Sequence, residues 1–173
     1  MKDFGTRMAA IWLGLAILVG APPVQAKREM PQLTLTELEG EPLDDEAAQW
    51  LLAHHEGRGD WQALCEIHAQ RADMAAERVA EGEDPGALHG LRQRARRAQA
   101  QCLLEHLGDP GAAADAARDG LDVAPDDPEL LEVLVRALAT ANEREACREA
   151  IDRLLPHLVE GPLRDEMVLL RGA

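Results

Sequence analysis

The sequence predicts an all-α protein made of helical hairpins, and three observations support this fold class. The 173-residue chain is rich in Ala, Leu, Glu, Asp and Arg, which favour helix, whereas it has no Tyr and one Phe to favour sheet. Apolar residues recur at helical spacing between breaks of Asp, Gly and Pro, and no segment has the pattern of a strand. Residues 94–161 also match themselves when shifted by 34 positions, which indicates repeated helical units.

Residues 1–26 have the features of a secretory signal peptide. A basic start precedes an apolar run over 8–21, and Val24 and Ala26 are small residues at the positions that a signal peptidase reads. The apolar run is shorter than the ~20 residues needed to cross a bilayer. We therefore expect cleavage after Ala26 and export to the periplasm, with an N-terminal membrane anchor and a periplasmic domain as the alternative.

Residues 27–43 are predicted to form an extended N-terminal tail, because Pro31, Gly40 and Pro42 interrupt any helical pattern there. The helical domain is predicted over 44–173. A chain of this length suits one domain with its own core.

Acidic caps and Gly or Pro breaks predict the first three helices of this domain. Asp44 and Asp45 suit a helix N-terminus, and the first helix ends at the break over 56–59. Asp60 caps a second helix that continues to about residue 79. Asp84, followed by a first-turn proline, opens a third helix that extends to residue 107.

Four further helices follow the same punctuation. The break over 108–110 precedes a fourth helix at roughly 111–123, and residues 125–128 open a fifth that ends near 141. A sixth helix is expected from Asn142 to about Leu158. Gly161 and Pro162 then open a short seventh.

The 34-residue shift relates two units, 94–127 and 128–161. It superposes apolar or small residues on one another and places the turn Gly108-Asp109 on Asn142-Glu143. The superposed pairs are Leu104 with Leu138, Ala112 with Ala146, Ala116 with Ala150, and Leu121 with Leu155.

These two units resemble the tetratricopeptide repeat family. Residues 107–109 match the turn between the two helices of that repeat, and Ala113 matches its small residue at the helix crossing. Residues 59–61 resemble the same turn in an earlier hairpin. That hairpin is about 15 residues longer than the 34-residue period, so a different type of helical repeat is the alternative for it. The resemblance implies a superhelix of about three hairpins with a C-terminal capping helix.

In tetratricopeptide arrays the first helix of each hairpin lines a concave groove that holds a partner segment. The resemblance therefore implies a protein-binding groove, and its acidic residues suit a polar or basic peptide. Cys102 also maps to this groove, and that placement competes with its pairing to Cys65, described next. The predicted groove residues are Trp50, Gln99, His106, Glu129, Glu132 and Arg136.

Cys65 and Cys102 are predicted to form a disulfide. Their midpoint lies between Glu83 and Asp84, in the turn between the second and third helices, so antiparallel packing brings the two cysteines to the same level. Two ordinary buried thiols are the alternative. Cys147 is expected to be an inert buried thiol.

Four basic residues cluster early on the third helix: Arg92, Arg94, Arg96 and Arg97. Arg92 and Arg96 share a helix face and are predicted either to hold an acidic partner segment or to pair with carboxylates of this chain, such as Glu81 and Glu83.

Composition excludes several functions. The chain has no Ser, which excludes a serine nucleophile, and its net charge of -14 disfavours binding to nucleic acid or to an anionic membrane surface. No glycine-rich phosphate loop is present. We therefore expect no enzymatic activity, no cofactor, no bound nucleic acid and no membrane insertion after signal cleavage.

The predicted function is that of a non-catalytic adaptor or assembly factor of the bacterial cell envelope, which binds an unidentified protein or peptide partner. One alternative is a metal- or thiol-dependent protein using His54, His55, Cys65 and His68, whose side chains are compatible with zinc. We expect no metal there, because hairpin geometry places His68 opposite Ala48 and away from His54. A purely structural envelope protein is the other alternative.

Overall fold

The computed structural model describes residues 45–172, which lie within one structural unit and contain seven α-helices and no strand. The predicted all-α fold is therefore confirmed for this part of the chain. The predicted signal peptide (1–26) and tail (27–43) lie outside the described residues. The helices are α1 (Asp45–Glu56), α2 (Trp61–Ala80), α3 (Pro85–Cys102), α4 (Pro110–Val123), α5 (Pro128–Thr140), α6 (Arg144–Leu154) and α7 (Pro162–Gly172).

Aspartate side chains cap four of these helices, as acidic residues before a helix predict. The Asp60 carboxylate accepts a hydrogen bond from the Ala63 backbone N–H at 3.3 Å, and Asp84 accepts one from Gly86 at the same distance. Asp109 and Asp127 cap α4 and α5 in the same way. Proline in the first turn of α3, α4 and α5 costs no hydrogen bond, because a first-turn N–H has no partner within its helix.

Two helix ends differ from the sequence prediction. Asn142 has a left-handed backbone with φ of 61°, so Glu143 becomes the N-cap and α6 begins at Arg144. The same helix ends at Leu154 and continues as one 3-10 turn over Leu155–His157, because Pro156 has no N–H to donate. The end of the third helix is as predicted, and its last turn, Leu103–Leu107, is a π-helix.

The turns that follow α1, α3 and α5 share one conformation. A left-handed residue with φ between 61° and 68° stands directly before the N-cap of the next helix, a position that favours Gly or Asn. The N-cap then has φ between -109° and -85° and ψ between 72° and 84°. The three residue pairs are Gly59-Asp60, Gly108-Asp109 and Asn142-Glu143.

The turns that follow α2 and α4 end in a different conformation. Asp84 has φ of -58° and ψ of 118°, and Asp127 has nearly the same values, -69° and 112°. The two turn conformations therefore alternate along the chain. This alternation groups the helices in pairs, as the 34-residue period predicts for the turns at 108 and 142.

Consecutive helices pack against one another, and α3 also contacts α5. Helix α4 lies close to α3 and α5, since alanines make up much of its buried face and Gly120 is a contact point. A Cβ added at Gly120 would lie 3.0 Å from the Leu130 side chain and 3.1 Å from Arg96 Cβ. The largest fully buried side chains come mainly from α5 and α6: Leu130, Leu131, Val135, Leu138, Ile151 and Leu154.

Candidate functional site

Two adjoining cavities open between α1, α2 and α3, and together they are called the cleft here. Their volumes, about 320 and about 360 Å³, lie in the range of small-ligand sites. His68 and Ala98 line both cavities, which makes them neighbours. The first, the aromatic cavity, is lined by Leu52, Glu56, Trp61, Leu64, His68, Ala98, Gln101, Cys102, Glu105 and His106. The second, the arginine cavity, is lined by Gln49, His68, Arg71, Leu91, Arg94, Ala95 and Ala98.

A stacked pair of rings forms one wall of the aromatic cavity. The rings of Trp61 and His106 are parallel to within 5°, with centroids 3.6 Å apart. The Cys102 thiol, one helical turn before His106, donates to the Trp61 carbonyl at 3.3 Å. These contacts join the start of α2 to the end of the third helix. The π-helical turn therefore carries His106 at the mouth of a cavity whose floor includes the buried Leu64.

The arginine cavity has a positive lining in a strongly acidic protein. Among residues 48–172, its lining includes two arginines and one histidine but no carboxylate. Arg71 is 9% exposed, whereas Arg94 is exposed to solvent. An anionic group would therefore meet a favourable local potential here, despite the net charge of -14.

His68 stands between the two cavities and is uncharged at neutral pH. Burial, with a further contribution from the positive charge of Arg71, lowers the pKa of His68 to about 4. Its Nδ1 atom is buried and has no hydrogen-bond partner among the residues described. A buried polar atom without a partner is uncommon in folded proteins and is a position where a ligand atom gains a hydrogen bond.

The six predicted groove residues do not all lie at the cleft. His106 alone among them lines the aromatic cavity, and Trp50 stacks on His54 with ring centroids 5.1 Å apart. Gln99 accepts a hydrogen bond from Arg96 Nη1 at 2.8 Å.

The acidic groove residues on α5 are already paired within the chain. Glu129 forms an ion pair with Arg97, and Glu132 pairs with Arg136 at 2.7 Å. The expected preference for a basic peptide depended on these carboxylates, whose charges the two arginines balance.

The arginine cluster of α3 pairs with carboxylates of the chain itself. Arg92 and Arg96 both bind Asp119 on α4, and Arg96 also binds Asp73 on α2. Of the two alternatives for Arg92 and Arg96, the structure bears out pairing with carboxylates of this chain and not the holding of an acidic partner segment. Burial alone would raise the pKa of Asp119, but hydrogen bonds from the two arginines outweigh it, and the pKa lies below its ordinary value.

The two carboxylates named as examples of such partners, Glu81 and Glu83, were the wrong ones. Glu83 pairs with Arg78 of α2 at 2.6 Å, because the turn directs it back toward the helix that it follows. Arg94 is the one member of the cluster for which no ion pair forms within residues 48–172. This leaves its guanidinium, at the arginine cavity, as the cation available to a ligand.

All three cysteines are buried free thiols. Burial raises the pKa of Cys65, the nearby Cys102 thiol raises it further, and a hydrogen bond from Gln99 opposes the rise. The two cysteines are therefore neighbours across α2 and α3, and their disulfide stays a prediction. Cys147 is buried as predicted, and burial raises the pKa of its thiol, which disfavours the reactive thiolate.

The zinc-compatible residues are engaged separately. His55 Nδ1 lies 3.3 Å from an Asp60 carboxylate oxygen, His54 stacks on Trp50, and His68 lies at the cleft. Over the part of the chain that the structure describes, His, Cys, Asp and Glu side chains form no group of three or more suited to a metal ion.

No family model, curated protein or solved structure matches this chain. Within residues 45–172, no helix has both the length and the apolar character required to cross a membrane. The chemical character of the cleft is therefore the basis for the functional argument. It combines an aromatic wall, a buried unpaired imidazole nitrogen and an exposed arginine.

Proposed function

We propose that this protein is a non-catalytic binding protein of the bacterial cell envelope, an adaptor or assembly factor that takes a partner segment into the cleft between α1, α2 and α3. The observation that carries the proposal is the pair of adjoining cavities between three consecutive helices. Their lining offers apolar surface and hydrogen-bonding groups together, which is typical of binding sites.

The proposed architecture is a tetratricopeptide-like superhelix of about three hairpins, closed by α7. Two features support it: the alternating turn conformations, and packing between helices that are consecutive in the chain. Solenoid proteins of this kind bind through extended surfaces, without a catalytic motif. The envelope location rests on the predicted signal peptide.

Affinity capture from bacterial envelope extract tests this function with matched histidine variants. His106→Ala removes an exposed ring from the wall of the aromatic cavity, and His157→Ala removes an exposed ring near the opposite end of the chain. We expect His157→Ala to recover the same partner as the wild-type protein, and His106→Ala to recover several-fold less. Equal recovery by both variants would count against the cleft.

A further inference from the structure

The arginine cavity contains the elements of an anion site. Arg94 is exposed at its mouth, and its planar guanidinium offers donors in the geometry that a carboxylate accepts. Arg92, Arg96 and Arg97, its neighbours on α3, are each held by a carboxylate of the chain. Arg71 also lines this cavity and has interactions of its own.

His68 provides a second polar group for the same ligand. Its buried Nδ1 has no hydrogen-bond partner among the described residues, and in the neutral tautomer that carries its hydrogen on Nδ1 this nitrogen donates to an anionic oxygen. No carboxylate lines this cavity among the residues whose side chains the structure describes, so these residues do not repel an incoming anion.

The neighbouring aromatic cavity adds an apolar wall, and the exposed carboxylates of Glu56 and Glu105 also line this cavity. Leu64 is buried there, and half-buried Leu52 and Trp61 form more of the lining. Since His68 and Ala98 line both cavities, a ligand that extends from one to the other passes from Arg94 to the apolar wall of Leu52, Trp61 and Leu64. Transfer of its hydrocarbon part out of water favours binding.

We propose that the two cavities form one site for an aliphatic carboxylate. The carboxylate lies between Arg94 and His68, and the hydrocarbon part lies against Leu52, Trp61 and Leu64. Two sources supply this chemistry: a free small acid, or an acidic side chain next to an apolar one in a partner segment. The second source rests on the proposed function, whereas the first does not.

Isothermal titration calorimetry of the full chain with hexanoate tests the free-acid source. Hexan-1-ol and hexylammonium have the same hydrocarbon length without the negative charge. We expect hexanoate to bind at least tenfold more tightly than either, because only hexanoate pairs with Arg94. Similar affinities for all three compounds would overturn the site.

Arg94→Gln is the decisive variant, and Arg144→Gln is its control, since both change an exposed arginine of the described chain without an ion pair. We expect Arg94→Gln to weaken hexanoate binding about tenfold and Arg144→Gln to leave it unchanged. Thermal melting of each variant checks that it is folded. Unchanged hexanoate binding in a folded Arg94→Gln protein would overturn the assignment.

A capped peptide with adjacent Leu and Glu residues, compared with its Leu-Gln counterpart, tests the partner-segment source. Arg94-dependent binding of the Leu-Glu peptide identifies a partner segment as the source, and Arg94-dependent binding of hexanoate alone identifies a free acid. Binding of neither probe overturns the inference. Neither titration contains an envelope partner, so the two proposals can fail separately. If hexanoate binds but affinity capture from envelope extract recovers partners equally with both histidine variants, the adaptor function is rejected and the carboxylate site is kept.

Discussion

The helices α1–α3 and the helices α4–α6 differ in the size of their buried side chains and in the cavities beside them. In α5 and α6, leucine and isoleucine fill the space between helices, and Leu131, Leu138 and Ile151 are at most 1% exposed. In α2 and α3, the buried positions are mainly small, such as Ala75 and Ala100, and cavities remain beside them. The two larger cavities therefore lie in the α1–α3 half, whereas the cavity between α5, α6 and α7 is smaller, about 160 Å³.

Charge follows the same division. Arginines of α3 form ion pairs with carboxylates on α2, α4 and α5, which fix the position of α3 without filling the cleft. Among the described residues, Nε of Arg92 is buried at this interface without a hydrogen-bond partner. Regions with few buried apolar contacts have the lowest local stability and often carry ligand-binding function. We therefore expect binding in the α1–α3 half and most of the unfolding free energy in the α4–α6 half.

A disulfide between Cys65 and Cys102 would link α2 to α3, and we expect it to have the largest effect on the free energy of unfolding. Closing this loop in the unfolded chain contributes about 4 kcal/mol by loop-entropy estimates. We expect intact mass, after alkylation in denaturant without reductant, to show one labelled cysteine, Cys147. Three labelled cysteines in protein exported under oxidising conditions would show that the pair stays reduced.

Leu131→Ala compared with Leu52→Ala tests the difference in packing directly. Leu131 is fully buried, so its truncation should lower the free energy of unfolding by about 3 kcal/mol. Leu52 is half-buried at the cleft, where truncation should cost about 1 kcal/mol. Urea unfolding of both variants measures the difference, and equal losses would remove the proposed contrast between the two halves.

His68→Gln should reduce the sensitivity of the protein to acid. The unfolded chain binds a proton at this residue near pH 6.5, whereas the folded chain does so only near pH 4. Its contribution to stability is therefore full above pH 6.5 and is lost as the pH falls toward 4, by up to about 3 kcal/mol. Urea unfolding at several pH values compares His68→Gln with the exposed control His157→Gln. Parallel pH profiles for both variants and the wild-type protein would contradict the buried neutral state of His68.

Asp119→Asn should have the smallest of these effects, because its partners are only partly buried. Removing the carboxylate leaves Arg92 and Arg96 without a common partner and should cost about 1 to 2 kcal/mol near neutral pH. The Asp119 contribution is present above the pKa of an unfolded aspartate and is lost as the pH falls through the lowered folded pKa. Asp115→Asn is the matched control, since its ion pair with Arg118 is exposed and should contribute less than about 0.5 kcal/mol. Equal losses in the two variants would indicate that the network does not stabilise α3.

The fold could be predicted from the sequence because its signals are local. Each capping aspartate acts on an N–H within three residues, as Asp60 does on Ala63, and a left-handed Gly or Asn precedes the next helix. The two misplaced ends of α6 follow from the same local chemistry at Asn142 and Pro156.

The cleft could not be predicted in the same way, because it depends on residues far apart in the chain. Trp61 stacks on His106, and Arg92 pairs with Asp119, whereas local reasoning placed carboxylates from the preceding turn beside Arg92. One signal for the site was present in the sequence: Trp61 is one of only two tryptophans after residue 26. Because Trp61 belongs to the repeat-like turn 59–61, its position indicated a helical hairpin. Its stacking partner, His106, could be identified only in the folded chain.

Photo-crosslinking in bacterial cells tests whether a partner binds in the cleft between α1, α2 and α3. A photoreactive amino acid replaces Gln101, an exposed residue of the aromatic cavity, and in a separate protein replaces Glu149, an exposed residue of α6. We expect a discrete crosslinked partner from position 101 and none from position 149. The same partner crosslinked equally from both positions, or from position 149 alone, would contradict binding in the cleft.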